Sequence, residues 1–227
     1  MNADVVRAPR SIVSGAVSIG LATGLYGVSF GVLAVAAGMT PAQACVMSAL
    51  VFTGASQFAF VGVLAAGGTA LAAAAPAVIL AVRNAAYGIS LVPILARPLR
   101  ERVAASHLII DETTAMARAQ DDPVAARQAF LATGVSIWLC WNAGTLVGAV
   151  IGGGIGDPRT LGLDAMFPAA FLALLVPQLR RPGAPVAAIV GAAVALSIVP
   201  FTPAGVPIVA ALAGLVPGVL WARGVRP

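Results

Sequence analysis

The chain has 227 residues, 60% hydrophobic and 9% charged, with a mean hydropathy of +0.99; water-soluble domains carry about 25% charged residues. That composition excludes an ordinary soluble domain. The net charge of +5 comes from arginines alone, without a single lysine, and these sit in short loops and tails rather than on one water-facing surface, which argues against nucleic-acid binding.

At the N-terminus Arg7 and Arg10 precede an apolar stretch much longer than the roughly 7–15 residues of a cleavable signal core, so the first segment is expected to be retained. From Ser11 to Val82 no side chain is charged, a run of 72 residues. At roughly 20 apolar residues per crossing, that run holds two or three passes. Further uncharged stretches run from Gln128 to Gly156, Ala165 to Leu179 and Pro182 to Ala222. They are continuous in Ala, Val and Leu and lack the alternation of barrel strands, so the crossings are helices.

The predicted segments are Val13–Ala37, Ala42–Ala66, Ala70–Leu95, Phe130–Ile151, Leu161–Leu179, Val186–Val199 and Pro203–Trp221. The expected architecture is an all-α polytopic transmembrane bundle of about seven hydrophobic segments, forming a single integral membrane domain over residues 1–227 with a hydrophilic loop at about 96–128. Within that loop, His107-Leu108-Ile109-Ile110-Asp111-Glu112, followed by Ala115, Met116 and Ala119, fits a short amphipathic helix at the interface.

The arginines set an orientation problem. Arg97, Arg100, Arg102, Arg118 and Arg127 in the loop, and Arg7, Arg10, Arg180, Arg181, Arg223 and Arg226 elsewhere, all favour the cytoplasmic side. Seven full crossings would put the N-terminus and the loop on opposite sides, whereas one non-crossing segment among the first three puts every one of these arginines on the same side. Thr53-Gly54-Ala55-Ser56-Gln57 interrupts the second segment with small and polar residues, so that segment is the one expected to be re-entrant or broken. Irregular backbone at membrane depth needs protein or a water-filled cavity around it, which makes the interruption a candidate binding site. Seven crossings with an external N-terminus is the competing arrangement.

Arg83 and Asn84 fall near the middle of the third segment, where an arginine costs at least about 2.5–3.5 kcal/mol on insertion scales. Arg83, Tyr87 and Ser90 share a helix face by their spacing, with Asn84 beside it. The stripe suits a bundle interior in which Arg83 meets a carboxylate; a shorter helix with a snorkelling Arg83 is the plainer alternative. Gly20, Gly24, Gly27 and Gly31 in the first segment, and Gly144, Gly148 and Gly152 in the fourth, draw strips along which another helix can approach closely, with a moving gate as the sharper reading.

Asp164 could serve as a proton-linked carboxylate because desolvation near lipid favours its neutral form, or simply as a helix N-cap. Asp111 and Glu112 read as a solvated or interfacial pair, with a proton relay as the alternative. Trp138, Trp141 and Asn142 could line a path or anchor at an interface. Cys45 and Cys140 lie in apolar segments and read as packing residues, with no disulfide or metal expected. The absence of lysine rules out the G-x-x-x-x-G-K-[ST] phosphate loop, and a single histidine rules out H-E-x-x-H zinc chemistry. Gly27-Val28-Ser29-Phe30-Gly31 has the residue types of G-x-S-x-G but lies inside an apolar helical segment rather than at a strand-to-helix turn, so neither an enzyme nor a bound cofactor is expected.

Five strings in order, Gly27-Val28-Ser29-Phe30-Gly31, Phe52-Thr53-Gly54-Ala55-Ser56-Gln57-Phe58, Arg83-Asn84-Ala85-Ala86-Tyr87-Gly88, Asp111-Glu112-Thr113, and Gly162-Leu163-Asp164-Ala165-Met166-Phe167-Pro168 leading to Leu174-Leu175-Val176-Pro177-Gln178, resemble the AzlC family. These are the large subunits of bacterial branched-chain amino acid exporters, and the resemblance spans about Gly15 to Gly218. It implies efflux of valine, leucine, isoleucine and in some cases methionine across the cytoplasmic (inner) membrane, together with a small, separately encoded AzlD-type membrane subunit. The family's usual string in the third segment is closer to Asn-Ala-Arg-Tyr, so Asn84 and Tyr87 carry over more directly than Arg83.

With that resemblance, the expected substrate-binding set is Gly54, Ser56, Gln57, Arg83, Asn84 and Tyr87, with Asp164 as the proton-coupling acid. Apolar walls would take the aliphatic side chain, and secondary transporters place substrates at broken helices near the midplane. Competing functions are a passive channel for small neutral solutes and a non-transporting assembly subunit. A weak internal echo pairs Gly27-x-x-x-Gly31 with Gly144-x-x-x-Gly148, and Phe52 with Phe167-Pro168, as inverted transporter halves would.

Overall fold

The computed structural model describes residues 9–95, 98–154 and 166–224, and they form helices joined by short connections. These are α1 (Arg10–Ala36), α2 (Pro41–Leu50), α3 (Gly54–Ala65), α4 (Ala70–Leu95), α5 (Leu99–Ser106), α6 (Asp111–Arg118), α7 (Pro123–Gly154), α8 (Met166–Gln178), α9 (Ala184–Ile198), α10 (Val206–Ala210) and α11 (Leu215–Gly224). Among the described residues, Arg10–Ala36, Ala70–Leu95, Pro123–Gly154, Ala184–Phe201 and Val206–Gly224 are long and apolar enough to cross a membrane, with Gly54–Ala65 a shorter apolar helix. The all-α membrane bundle expected from sequence is what forms.

Local chemistry explains where the helices start and stop. Thr40 caps α2 reciprocally: its hydroxyl accepts from the Gln43 amide at 3.2 Å, while the Gln43 side chain accepts from the Thr40 N–H at 2.8 Å. Pro41 follows at the first helical position, where its missing N–H costs nothing. Gly38 ends α1 with φ +92°, and the Met39 N–H reaches back to the Ala34 carbonyl at 3.0 Å, a left-handed stop that a Cβ would strain. Asp122 accepts from the Ala125 amide at 2.8 Å ahead of Pro123, so α7 begins seven residues before the expected Phe130.

Several boundaries differ from the sequence expectation. The second segment is indeed broken, but at Val51–Thr53, and Gly54, Ala55, Ser56 and Gln57 form the opening turn of α3 rather than the gap. In the hydrophilic loop a second helix, α5, precedes α6. The buried face of α6 is Thr113, Thr114 and Ala117; Ala115 and Ala119, expected on the apolar side, are exposed. The last segment is split by a tight 3-10 turn at Ala211–Gly214. Residues 161–165 of the fifth expected segment, Asp164 among them, lie outside the described residues; α8 covers 13 residues after them.

The described residues fall into two compact units. The first comprises those of Met1–Gly54 and Ala81–Ile155, and the second those of Ala55–Leu80 and Gly156–Pro227. In the first, α1 lies along α7 with both glycine strips in the contact. A Cβ on Gly24 would sit 3.1 Å from the Cys140 carbonyl oxygen, one on Gly27 2.5 Å from that of Trp141, and one on Gly148 against the Val28 carbonyl. Close backbone approach is therefore what the strips provide, and Cys140, a free thiol, packs over Gly24 as a small residue. Leu91, Ala105, Ala117 and Phe130 form a buried cluster joining α4, α5, α6 and α7, with Leu108 and Ile109 packed on it. In the second unit the same device recurs: a Cβ on Gly214 would lie 2.6 Å from the Gly191 amide of α9.

Candidate functional site

The broken helix leaves carbonyls at the end of α2 with no intrahelical donor, and side chains from distant elements supply one. Nε2 of His107 donates to the Ala49 carbonyl at 2.9 Å, and the Trp138 indole N–H donates to the same oxygen at 3.3 Å. The carbonyl can only accept, so the proton sits on Nε2. Phe52, in the break itself, stacks on the His107 ring at 5.8 Å and 29°. One turn back, the buried hydroxyls of Ser48 and Thr145 meet at 3.0 Å.

Below the break, Gly54 faces Trp141: a Cβ there would lie 2.8 Å from Cη2 of the indole. Trp141 in turn stacks on Phe30 of α1 at 6.3 Å. Thr53 is buried, and its hydroxyl has no hydrogen-bond partner. Asn142 donates to the Trp138 carbonyl one turn earlier at 2.7 Å, which ties its amide nitrogen to its own helix.

On α4, Arg83 Nη2 lies 3.6 Å from Asp111 Oδ1, with the two side chains 35% and 39% accessible. Arg83 therefore meets a carboxylate, as expected, but a resident one. Its Nε is buried and unpartnered, and so is Oδ1 of the adjacent Asn84. Ser90, placed with them by spacing, donates to the Tyr87 carbonyl at 2.8 Å and so drops out of the polar face. Tyr87 is half-buried.

Asp111 is the first residue of α6, where the partial positive charge of the helix N-terminus favours an anion. Thr113 fixes this terminus: its hydroxyl accepts from the Ile110 N–H at 3.1 Å and lies 2.8 Å from the Leu108 carbonyl, to which it can donate. The neighbouring Glu112 carboxyl is raised from 4.5 to about 7, first by burial and then by the charge of Asp111, with Arg83 acting in the opposite direction. The pair, for which the sequence leaves open a solvated or interfacial position and a proton relay, is thus an ion-paired aspartate beside a glutamate that titrates near neutrality.

Of the expected binding residues, Gly54, Arg83, Asn84 and Tyr87 belong to the first unit, and Ser56 and Gln57 to the second. Ser56 and Gln57 are both buried in the first turn of α3, and the Ser56 hydroxyl has no hydrogen-bond partner. Asp164 lies outside the described residues. Sequence reasoning missed the roles of His107 and Trp138; the signal was a lone histidine in the same short string as Asp111, read there only as part of an amphipathic helix. Among the described residues no group of three or more His, Cys, Asp or Glu could hold a metal ion.

Residues 18–155 match the AzlC protein family. The inner membrane protein YgaZ of Escherichia coli strain K12 is 31% identical over 204 residues, covering 86% of this chain and 81% of the relative. This chain belongs to the AzlC family. No solved structure matches it. The matched AzlC region contains the whole of the break, the Arg83–Asp111 pair and the α1–α7 glycine contact. Together with its apolar helices, this makes the protein a multi-pass inner-membrane protein of a transport-related family.

Proposed function

We propose that this AzlC-family protein is the large subunit of a secondary exporter that moves valine, leucine, isoleucine and methionine out across the inner membrane, driven by the proton gradient. A small AzlD-type membrane subunit completes the transporter. The observation that carries the reading is the pair of unmatched polar atoms on α4: a buried donor, Arg83 Nε, and a buried acceptor, Asn84 Oδ1, at consecutive positions of an otherwise apolar span. Buried polar atoms are normally hydrogen-bonded, and a zwitterionic amino acid offers both complements, a carboxylate for the guanidinium and an ammonium for the amide oxygen.

The mostly apolar residues of α4 around Arg83 and Asn84 are compatible with an aliphatic side chain. Gly54 and Tyr87, of the same unit, complete the proposed binding set, in keeping with secondary transporters that bind at broken helices. Chemistry on the substrate has no place in this reading, and the protein is not an enzyme. Two acids are candidates for proton coupling: Asp164, from the family string, and Glu112, whose carboxyl titrates near 7. Because the glycine strips of α1 and α7 pack against one another, the alternative that they exist only to hold other subunits loses its support.

The test is uptake of labelled leucine into proteoliposomes holding this protein and its small partner. Arg83→Leu and Asn84→Leu should each lower gradient-driven flux at least tenfold with the protein still inserted. Flux that ignores the gradient would mean a passive channel.

A further inference from the structure

The carbonyl end of α2 is held from outside its own helix. Ala49 O takes two donors, His107 Nε2 and Trp138 Nε1, and the His107 ring also backs Phe52 inside the break. His107 opens a short strap that ends at Asp111, the partner of Arg83. The strap is stiff. Thr113 bonds the Ile110 N–H and reaches the Leu108 carbonyl, Thr114 donates to the Ile110 carbonyl at 2.7 Å, and Leu108 and Ile109 pack on the core of Leu91 and Phe130. Two polar anchors at the ends of five consecutive residues therefore connect the break to the middle of α4.

We infer that His107 is the positioning residue of the α2–α3 break, and that the 107–111 strap links the geometry of that break to the Arg83–Asp111 ion pair. A ligand carboxylate that takes Arg83 from Asp111 frees one end of the strap, and the other end holds the carbonyl of Ala49. The inference rests on the transport reading only in treating Arg83 as the contact for a substrate carboxylate.

Hydrogen exchange of the Val51–Gly54 amides in the full chain, in lipid nanodiscs, reads the break directly. Without substrate, His107→Leu should speed exchange there roughly 3- to 10-fold, the factor expected for one net hydrogen bond. His107→Gln, whose amide N–H can donate, should stay near wild type. Trp138→Phe, which keeps the ring and loses the donor, should move in the same direction as leucine at 107, and Asp111→Asn should also speed exchange at the break. Unchanged exchange in His107→Leu, or glutamine behaving like leucine, overturns the positioning role; unchanged exchange in Asp111→Asn overturns the link.

A second arm separates this from the transport reading. Leucine should alter exchange at the break in the wild type, whereas 3-methylbutylamine, with the same side chain and ammonium but no carboxylate, should not. Variant effects as expected with no response to leucine would uphold the positioning role and the link, and count against the transport reading.

Discussion

Arg83 Nη2 lies 3.6 Å from Asp111 Oδ1, so the charge in the middle of a 26-residue apolar helix is answered by the first residue of a helix outside the spans. A carboxylate at a helix N-terminus is itself favoured by the backbone dipole. The pair therefore compensates an arginine that would otherwise be costly at this depth.

Asp111→Asn should destabilise the protein modestly. Each partner is more than a third accessible, which screens the interaction, so about 1 kcal/mol is the expected loss, or roughly 2–4 °C in the thermal midpoint of a chain this size. Replacing both partners, Arg83→Leu with Asp111→Leu, should recover most of it, since no charge is left unpaired. A double variant less stable than Asp111→Asn would mean that the pair is not what holds these side chains.

The contact of α1 with α7 predicts a graded response to small substitutions. Gly148→Ala places a methyl group against the Val28 carbonyl, whereas the same change at Gly153 meets nothing within 4 Å. The first should cost about 1–3 kcal/mol through overpacking, and the second nothing measurable by thermal melting in detergent. Gly24→Leu should reduce accumulation of the folded protein in the membrane. Equal stability of the two alanine variants would deny close packing along these strips.

How much of this was legible in the sequence depends on how local each cause is. The long apolar runs and the glycine strips were, because bilayer thickness and backbone approach act on residue type and spacing alone. The break was placed two residues late. Thr53 to Gln57 look irregular, yet Val51 and Phe52 carry no breaking signature, and the donors that hold the Ala49 carbonyl come from residues 107 and 138. The early start of α7 could have been read from Asp122-Pro123, an N-cap followed by proline. The partner of Arg83 could not, because Asp111 reaches α4 through tertiary contacts such as the packing of Leu108 and Ile109 on the core.

Glu112 predicts a pH dependence. Its carboxyl titrates near 7 in the folded protein and 4.5 otherwise, so the folded state binds more protons between these values and stability falls as pH rises from about 4.5 through 7. Glu112→Gln should flatten that slope, and Asp111→Asn should shift its upper end to lower pH by removing a like charge. Both are readable as thermal midpoints across a pH series. A slope unchanged in Glu112→Gln would assign the titration elsewhere.

The two candidate coupling acids separate by substitution. Asp164→Asn should abolish gradient-driven export while the protein still accumulates in the membrane. Normal export by this variant would remove Asp164 from the mechanism and leave Glu112→Gln as the variant to test.

The central claim is tested most directly by loading cells with dipeptides and following intracellular valine, leucine, isoleucine and methionine, with and without this protein and its small partner. The proposed function predicts faster clearance of the branched-chain set and methionine when both proteins are present, lost when the proton gradient is collapsed. Unchanged clearance, with both proteins verified in the membrane, would contradict it.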